Sequence, residues 1–144
     1  MYLDSAIIVK LLVAEPDSPF FVKATQGTAI GTSELSYTEV AAALFRKQRD
    51  HLLSHAERMR AWSKFVDWTD SEELMLYTLD THTLRNANRI LAFANPTVAL
   101  RSMDSIHVSA CDLSRDFPLC ATDGRMRAAA TKLRIPLFPE TMPI

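Results

Sequence analysis

Four acidic side chains that lie far apart in the chain could together do metal chemistry. Each follows a short apolar run or stands early in a predicted helix, and they are Asp4, Glu39, Asp104 and Asp123. Carboxylates that meet in one site cannot all stay ionised without a cation, because like charges raise one another's pKa. Hard divalent cations prefer oxygen ligands, and Mg²⁺ is commonly held by one or two carboxylates plus water and substrate phosphate. The pattern predicts a four-carboxylate site for Mg²⁺ or Mn²⁺.

Most of these acids also have an ordinary structural explanation. Asp4 and Asp104 could be helix N-caps, and residues 122–125 could form a plain turn. Asp80 is a useful comparison, because it also follows an apolar run; if that strand lies at the far edge of the sheet, Asp80 only caps a helix. Each acid alone is a weak signal, so the metal hypothesis depends on the set of four.

Glu39 has two alternative explanations of its own. The stretch Ser36–Glu39 fits a capping box, in which the Glu39 carboxylate would satisfy a backbone N–H. A helix that begins at Ser33 would instead put Glu39 on the same inward face as Leu35. An acid on an inward face needs a partner, which a metal site would supply.

One histidine could also take part. His107 lies three residues after Asp104, so the two side chains share a helix face. It could be a metal ligand or a base, but a helix histidine is more often a hydrogen-bonded packing residue. We expect the packing role here.

Strands that alternate with helices must position these side chains. Short apolar runs predict strands over 1–3, 28–32, 74–79, 119–122 and 135–138, and helical spacing predicts helices over 6–12, 19–26, 33–49, 54–68, 81–94, from 102 or 104 onward, and 125–133. Such alternation predicts a parallel sheet with helices on both faces, a doubly wound three-layer α/β/α sandwich. If the first strand is central and neighbours the fourth, Asp4 and Asp123 face each other at the carboxyl edge of the sheet.

The composition is that of an ordinary globular protein. The chain has 144 residues, 48% hydrophobic and 23% charged, so we expect a single domain over 1–144 with a substantial core. The net charge of −1 excludes a protein coated in positive charge, and nucleic-acid binding would need a local basic patch.

The cysteines and the N-terminal segment indicate the cellular setting. Cys111 and Cys120 match no zinc-ligand spacing and are predicted to be small buried residues in a reducing compartment. Asp4 and Lys10 interrupt the apolar N-terminal run, which leaves no signal-peptide pattern and no membrane span. We therefore expect a cytoplasmic protein without membrane association.

Four motifs contain the acidic residues. They are Tyr2-Leu3-Asp4-Ser5-Ala6, Ser33-x-Leu35-x-x-x-Glu39-Val40, Leu100-Arg101-Ser102-Met103-Asp104-Ser105-Ile106-His107 and Thr122-Asp123-x-Arg125. In order and spacing they resemble the PIN-domain nucleases, and most of all the VapC-type toxins of type II toxin–antitoxin systems. The resemblance covers essentially the whole chain, and its specificity lies in the set, since each motif alone is common.

The resemblance implies a PIN-like sheet in the order 3-2-1-4-5 and a Mg²⁺- or Mn²⁺-dependent endoribonuclease. It also implies a cognate antitoxin whose tail enters the acidic cleft. The acidic quartet matches the catalytic and metal-binding positions of the family, and Ser5 and Thr122 match its polar supporting positions. The family often has threonine where this chain has Ser5, which keeps the hydroxyl. A histidine at the position of His107 is also common in the family.

The expected reaction is in-line hydrolysis of an RNA phosphodiester with one or two bound metals. Asp4, Asp104 and Asp123 would be ligands, and Glu39 a ligand or an orienter of the attacking water. Arg101, Arg125 and Lys10 are candidates to hold RNA phosphates, although Lys10 is better explained as solvated helix surface.

Other functions stay open. A phosphotransfer aspartate is disfavoured, because position 6 is Ala6 and the late Lys132 lies inside a predicted helix. The remaining alternatives are a PIN-like RNA- or protein-binding module that does not cleave and an RNA-processing nuclease outside a toxin–antitoxin pair.

Homodimerisation is a further expectation from the family resemblance. Trp62, Phe65 and Trp68 lie on a predicted helix whose apolar face could be left partly uncovered. Packing of these side chains in the core is the alternative explanation.

Overall fold

A fully parallel five-stranded sheet forms the centre of the computed structural model, which describes residues 1–142. The strands are β1 (Tyr2–Leu3), β2 (Ile30–Ser33), β3 (Leu74–Tyr77), β4 (Leu119–Cys120) and β5 (Leu137–Phe138), in the order β3-β2-β1-β4-β5. The sheet order predicted from the resemblance is therefore confirmed. Pro136 directly precedes β5 and has no N–H to donate to a neighbouring strand. As expected from that proline, β5 lies at an edge of the sheet.

Helices cover both faces of the sheet. Those of the first half are α1 (Ser5–Leu12), α2 (Ser18–Thr25), α3 (Ser36–Arg49) and α4 (His55–Asp70), and those of the second half are α5 (Thr81–Ala94), α6 (Ser102–Ser114) and α7 (Gly124–Lys132). Successive strand residues point to opposite faces, so Leu3 joins the core under α1 to α4 whereas Tyr2 joins the core under α5 to α7. The predicted three-layer α/β/α sandwich is confirmed.

The first strand is central and ends at the point where the strand order reverses. Tyr2 pairs with Gly31 of β2 on one side and with Leu119 of β4 on the other. The chain builds β2 and β3 outward from β1, then returns to build β4 and β5 on the opposite side. In open α/β sheets the functional crevice lies outside the carboxyl ends of the strands at this reversal, so Asp4 enters that crevice directly.

All helix starts except that of α3 lie within one residue of the predicted position, and the N-cap of α2 also differs from the prediction. The third helix begins at Ser36 rather than Ser33, because the Ser33 hydroxyl accepts a hydrogen bond from the Leu35 N–H and closes a turn first. No capping box forms there, since the N-cap residue Leu35 makes no side-chain cap. At α2 the N-cap is Asp17 instead of Ser18, whose hydroxyl donates to the Lys10 carbonyl.

Core packing accounts for much of the aromatic face of α4. Phe65 is fully buried, and Trp62 and Trp68 pack against the same core as partly buried side chains. Tyr37 of α3 packs against Trp62 and Phe65, with ring centroids 5.8 Å and 5.2 Å away. These residues therefore no longer motivate a dimer interface.

Two further predictions have an outcome in the structure. Cys111 and Cys120 are buried free thiols, as expected, and burial raises the pKa of each to about 12. Within residues 1–142, no helix combines the length and the apolar character that crossing a membrane requires.

Candidate active site

The four predicted acids line one pocket of about 520 Å³ at the carboxyl edge of the sheet. Asp4 follows β1, Glu39 lies in the first turn of α3, Asp104 in the first turn of α6, and Asp123 precedes α7. Ser5 and His107 line the same pocket. Residues separated by more than a hundred positions thus meet because parallel strands end at one edge.

Asp4 and Asp123 are helix N-caps as well as pocket residues. The Asp4 Oδ1 accepts a hydrogen bond from the Ile7 N–H at 2.8 Å. The Asp123 Oδ1 accepts from the N–H groups of Arg125 and Met126 at 2.8 and 2.9 Å. The N-cap explanation for Asp4 is therefore correct, and residues 122–125 form a helix start rather than a plain turn. In both acids the cap uses only one carboxylate oxygen.

Asp104 has no capping role. The N-cap position of α6 belongs to Arg101, three residues earlier. Among residues 1–142, the Asp104 Oδ2 is the one buried side-chain oxygen or nitrogen without a hydrogen-bond partner. Burial raises the pKa of Asp104, and the nearby charge of Asp123 raises it further, against the opposing charge of Arg101. A buried acceptor with no partner is costly, and a cation bound at this position would offset that cost.

Asp4 is held in an environment that disfavours its charge. Its side chain is only 3% exposed, and burial is the main reason that its pKa rises from 3.8 to about 6. The charges of Glu39 and Asp123 add to the rise, while the neighbouring His107 ring and the Ile7 N–H oppose it. An ionised Asp4 is therefore strained near neutral pH, and a cation would relieve that strain.

Glu39 is fixed by a hydrogen-bond network. Its Oε2 accepts from the Ser5 hydroxyl and lies 2.6 Å from the His107 Nε2. Burial opposes ionisation, but the contacts with His107 and Ser5 outweigh it and hold the Glu39 pKa below its ordinary range. Ser36 supports Ser5 from a distance of 3.0 Å between the two hydroxyl oxygens. Glu39 is thus a positioned carboxylate.

His107 has both ring nitrogens engaged and is 1% exposed. Its Nδ1 lies 2.8 Å from the Tyr2 hydroxyl, which already accepts a hydrogen bond from the Ser33 N–H. The Tyr2 hydroxyl can therefore donate to Nδ1, which leaves the His107 Nε2–H to donate to Glu39. The packing explanation holds, with an added part in orienting Glu39.

Two arginines at the pocket were not among the residues predicted from the sequence. Arg46 and Arg49 line it, seven and ten residues after Glu39 on α3. That spacing puts all three side chains on one helix face, which was a usable signal.

The other candidate positions lie outside the lining of the pocket. Arg101 and Arg125 are exposed, and Thr122 is half-buried. Lys10 lies 2.8 Å from a carboxylate oxygen of both Glu15 and Asp17, and its side chain is 14% exposed, so it is held in ion pairs rather than solvated on the helix surface as expected. Asp80 caps α5, and the strand before it, β3, lies at the edge of the sheet, as expected if Asp80 only caps a helix.

The donor set fits a hard divalent cation. All four carboxylates offer oxygen ligands, Asp4 is buried, and the Asp104 Oδ2 has no partner among residues 1–142. Within residues 1–142, no three His, Cys, Asp or Glu side chains already form a compact group that could hold a metal ion. Mg²⁺ does not need such a cage, because it keeps several waters and binds through one or two carboxylates plus substrate phosphate.

No protein-family model matches the sequence, and no curated protein is significantly similar to it. The fold is similar to that in the crystal structure of FitAcB from Neisseria gonorrhoeae, with a TM-score of 0.68 and 12% sequence identity. The similarity covers 96% of this chain and 96% of that chain. The similarity shows a shared fold, and the predicted three-layer α/β/α sandwich with sheet order 3-2-1-4-5 is confirmed.

Proposed function

We propose that the protein is a metal-dependent endoribonuclease that hydrolyses RNA phosphodiester bonds with Mg²⁺ or Mn²⁺. One observation carries the proposal: four carboxylates from distant parts of the chain line one open pocket, and one of them keeps a buried oxygen that has no partner within residues 1–142. Such a cluster has an electrostatic cost, which a bound cation would offset.

Asp4, Asp104 and Asp123 are the residues that would hold the cation. When bound, the metal supplies a more acidic water and neutralises charge on the phosphate. Ser5 and His107 hold the Glu39 Oε2, so the carboxylate stays ionised and in one orientation, in which it would serve as a metal ligand or orient the attacking water. Tyr2 fixes the His107 ring in turn.

A binding module that does not cleave is the second candidate. It is favoured by the absence of a compact three-ligand metal group within residues 1–142. The production of RNA fragments distinguishes the two functions. A binding module would retain RNA or a protein partner without producing fragments at any concentration of divalent ion.

The test is cleavage of a labelled single-stranded RNA by the purified protein. We expect fragments with Mg²⁺ or Mn²⁺, none with EDTA, and a loss of about 100-fold or more in Asp104→Asn. Asp112→Asn is the matched control, because Asp112 lies on the same helix but outside the pocket lining. Equal rates in wild type and Asp104→Asn would reject the proposal.

Two assembly states belong to the same proposal. We propose that the protein is the toxin of a toxin–antitoxin pair, neutralised by a cognate antitoxin, and that it forms a homodimer, both on the basis of the family resemblance. Growth arrest on expression that is relieved by the product of a neighbouring small gene would support the first. A monomeric mass by light scattering at micromolar concentration would remove the second.

A further inference from the structure

The acidic pocket continues into a basic stripe on α3. Glu39, Ala42, Ala43, Arg46 and Arg49 all line the pocket, and their spacing puts them on one face of the helix. A helix rises 1.5 Å per residue, so Arg46 and Arg49 lie about 10 and 15 Å along the axis from Glu39. The stripe thus begins with an acid of the site and ends with two cations.

Arg46 and Arg49 are not used by the fold. Both side chains are exposed. Within residues 1–142, neither makes an ion pair or a side-chain hydrogen bond. Lys47, between them, is paired with Glu15 at 2.6 Å. Arg58 is bound to Gln48. The two stripe arginines therefore keep their full hydrogen-bonding capacity for a ligand.

Other basic residues are committed to structure or lie elsewhere. The buried Arg127 donates to the carbonyls of Ala121 and Pro139. Lys132 donates to the Phe93 carbonyl and to Thr97.

The floor of the stripe is open because it is made of alanine. Ala42 and Ala43 separate Glu39 from Arg46 and present only methyl groups toward the pocket. A strand that leaves the carboxylates can therefore run along the helix without meeting a large side chain. Its phosphates would reach guanidinium groups, whose planar fork matches a phosphate with two parallel hydrogen bonds.

From this placement we infer that α3 carries a phosphate-binding track, in which Arg46 and Arg49 hold two backbone phosphates of single-stranded RNA beside the scissile one. The inference rests on the proposed nuclease function and names how its substrate is held. The track offsets the repulsion between an acidic pocket and a polyanion, which the metal alone would offset only at the cleaved phosphate.

The test compares Arg46→Gln/Arg49→Gln with Arg85→Gln/Arg89→Gln. The control pair lies exposed on α5 and removes the same number of charges. Binding of a fluorescent single-stranded RNA is measured from 50 to 200 mM salt, with both pairs placed in the cleavage-deficient Asp104→Asn protein. Losing two phosphate contacts reduces the steepness of log K against log salt by about 1.4, where K is the association constant for RNA. The ratio of K with intact arginines to K in the stripe variant should therefore fall about sevenfold between 50 and 200 mM salt.

Kinetics in the otherwise wild-type protein give the second readout. We expect the stripe variant to raise KM about tenfold or more while kcat changes less than threefold, because the arginines contact flanking phosphates rather than the reacting one. The α5 pair should change neither constant.

The outcomes separate this inference from the proposed nuclease function. In one outcome the wild type cleaves RNA, but the stripe variant has the same salt slope and KM as the α5 control. This outcome overturns the phosphate-binding track and leaves the proposed nuclease function intact. This result is also the one expected if the arginines bind an acidic protein segment instead. In another outcome the wild type never cleaves RNA, but the salt dependence of RNA binding becomes less steep in the stripe variant and not in the α5 control. This outcome supports the track and rejects the nuclease function.

Discussion

Replacing Asp4 by asparagine should stabilise the metal-free protein while removing its activity. Asparagine keeps the shape of the side chain and is as good an N-cap as aspartate, so the hydrogen bond from the Ile7 N–H survives. What the substitution removes is a buried charge whose pKa is raised, chiefly by burial, to about 6. The variant thus isolates the electrostatic strain of the site.

The magnitude follows from the pKa shift. A rise from 3.8 to about 6 corresponds to roughly 2 pKa units, or about 3 kcal/mol of cost for ionised Asp4 in the folded state. Because the folded state binds this proton more tightly than the unfolded chain, the contribution of Asp4 to stability is greatest below about pH 4 and is lost as pH rises through about 6. We expect Asp4→Asn to gain about 1–3 kcal/mol at pH 7.5 and roughly half of that at pH 5.

The assay is urea unfolding in EDTA at both pH values. Asp80→Asn is the matched control, because Asp80 is also an N-cap and accepts the Thr83 N–H at 2.8 Å. Asp80 is exposed, and the hydrogen bond from Thr83 holds its pKa below the ordinary value, so the control should gain no stability. Millimolar Mg²⁺ should then stabilise the wild type more than Asp4→Asn.

Two results would refute this reasoning. One is an Asp4→Asn protein that is no more stable than the wild type at pH 7.5. The other is a stability gain that becomes larger on acidification, since the sign of the linkage requires the opposite. Either would mean that the Asp4 carboxylate is not strained in the metal-free site.

Two further substitutions test the network and the packing. Tyr2→Phe leaves the Ser33 N–H and the His107 Nδ1 without their partner, so we expect a loss of about 1–3 kcal/mol in urea unfolding and a lower kcat at unchanged KM. Unchanged kcat would remove Tyr2 from the positioning of the site. Gly31→Ala would place a methyl group 2.6 Å from Tyr77 Cε2, so a loss of about 1–3 kcal/mol is expected, and a neutral result would show that the Tyr77 ring can move aside.

The sequence was sufficient to predict the position of the acids but not the use of each oxygen. Asp4 ends an apolar run, and parallel strands converge at one edge, so its place in the crevice follows from pattern alone. Whether a carboxylate caps a helix, faces the pocket or does both depends on its rotamer. Asp4 and Asp123 do both, and Asp104 only the second.

The arginine stripe and the covered aromatic face are features that the spacing of residues in the sequence cannot predict. Helical spacing relates Glu39 to Arg46 and Arg49, but it does not say that this face of α3 opens onto the pocket. In the same way, the spacing of Trp62 does not reveal that Tyr37 of the neighbouring helix packs against it. Both facts depend on how two helices are rotated against each other, which is a tertiary property.

Metal-dependent cleavage is tested most directly by following bound metal and cleaved RNA in one titration. Mn²⁺ or Mg²⁺ is added stepwise to the purified protein with a defined single-stranded RNA. We expect that cleavage rises with metal occupancy, that EDTA abolishes both, and that Asp4→Asn shows neither. A wild-type protein that binds no divalent ion and cuts no RNA, or one that cuts equally well in EDTA, would contradict the proposed function.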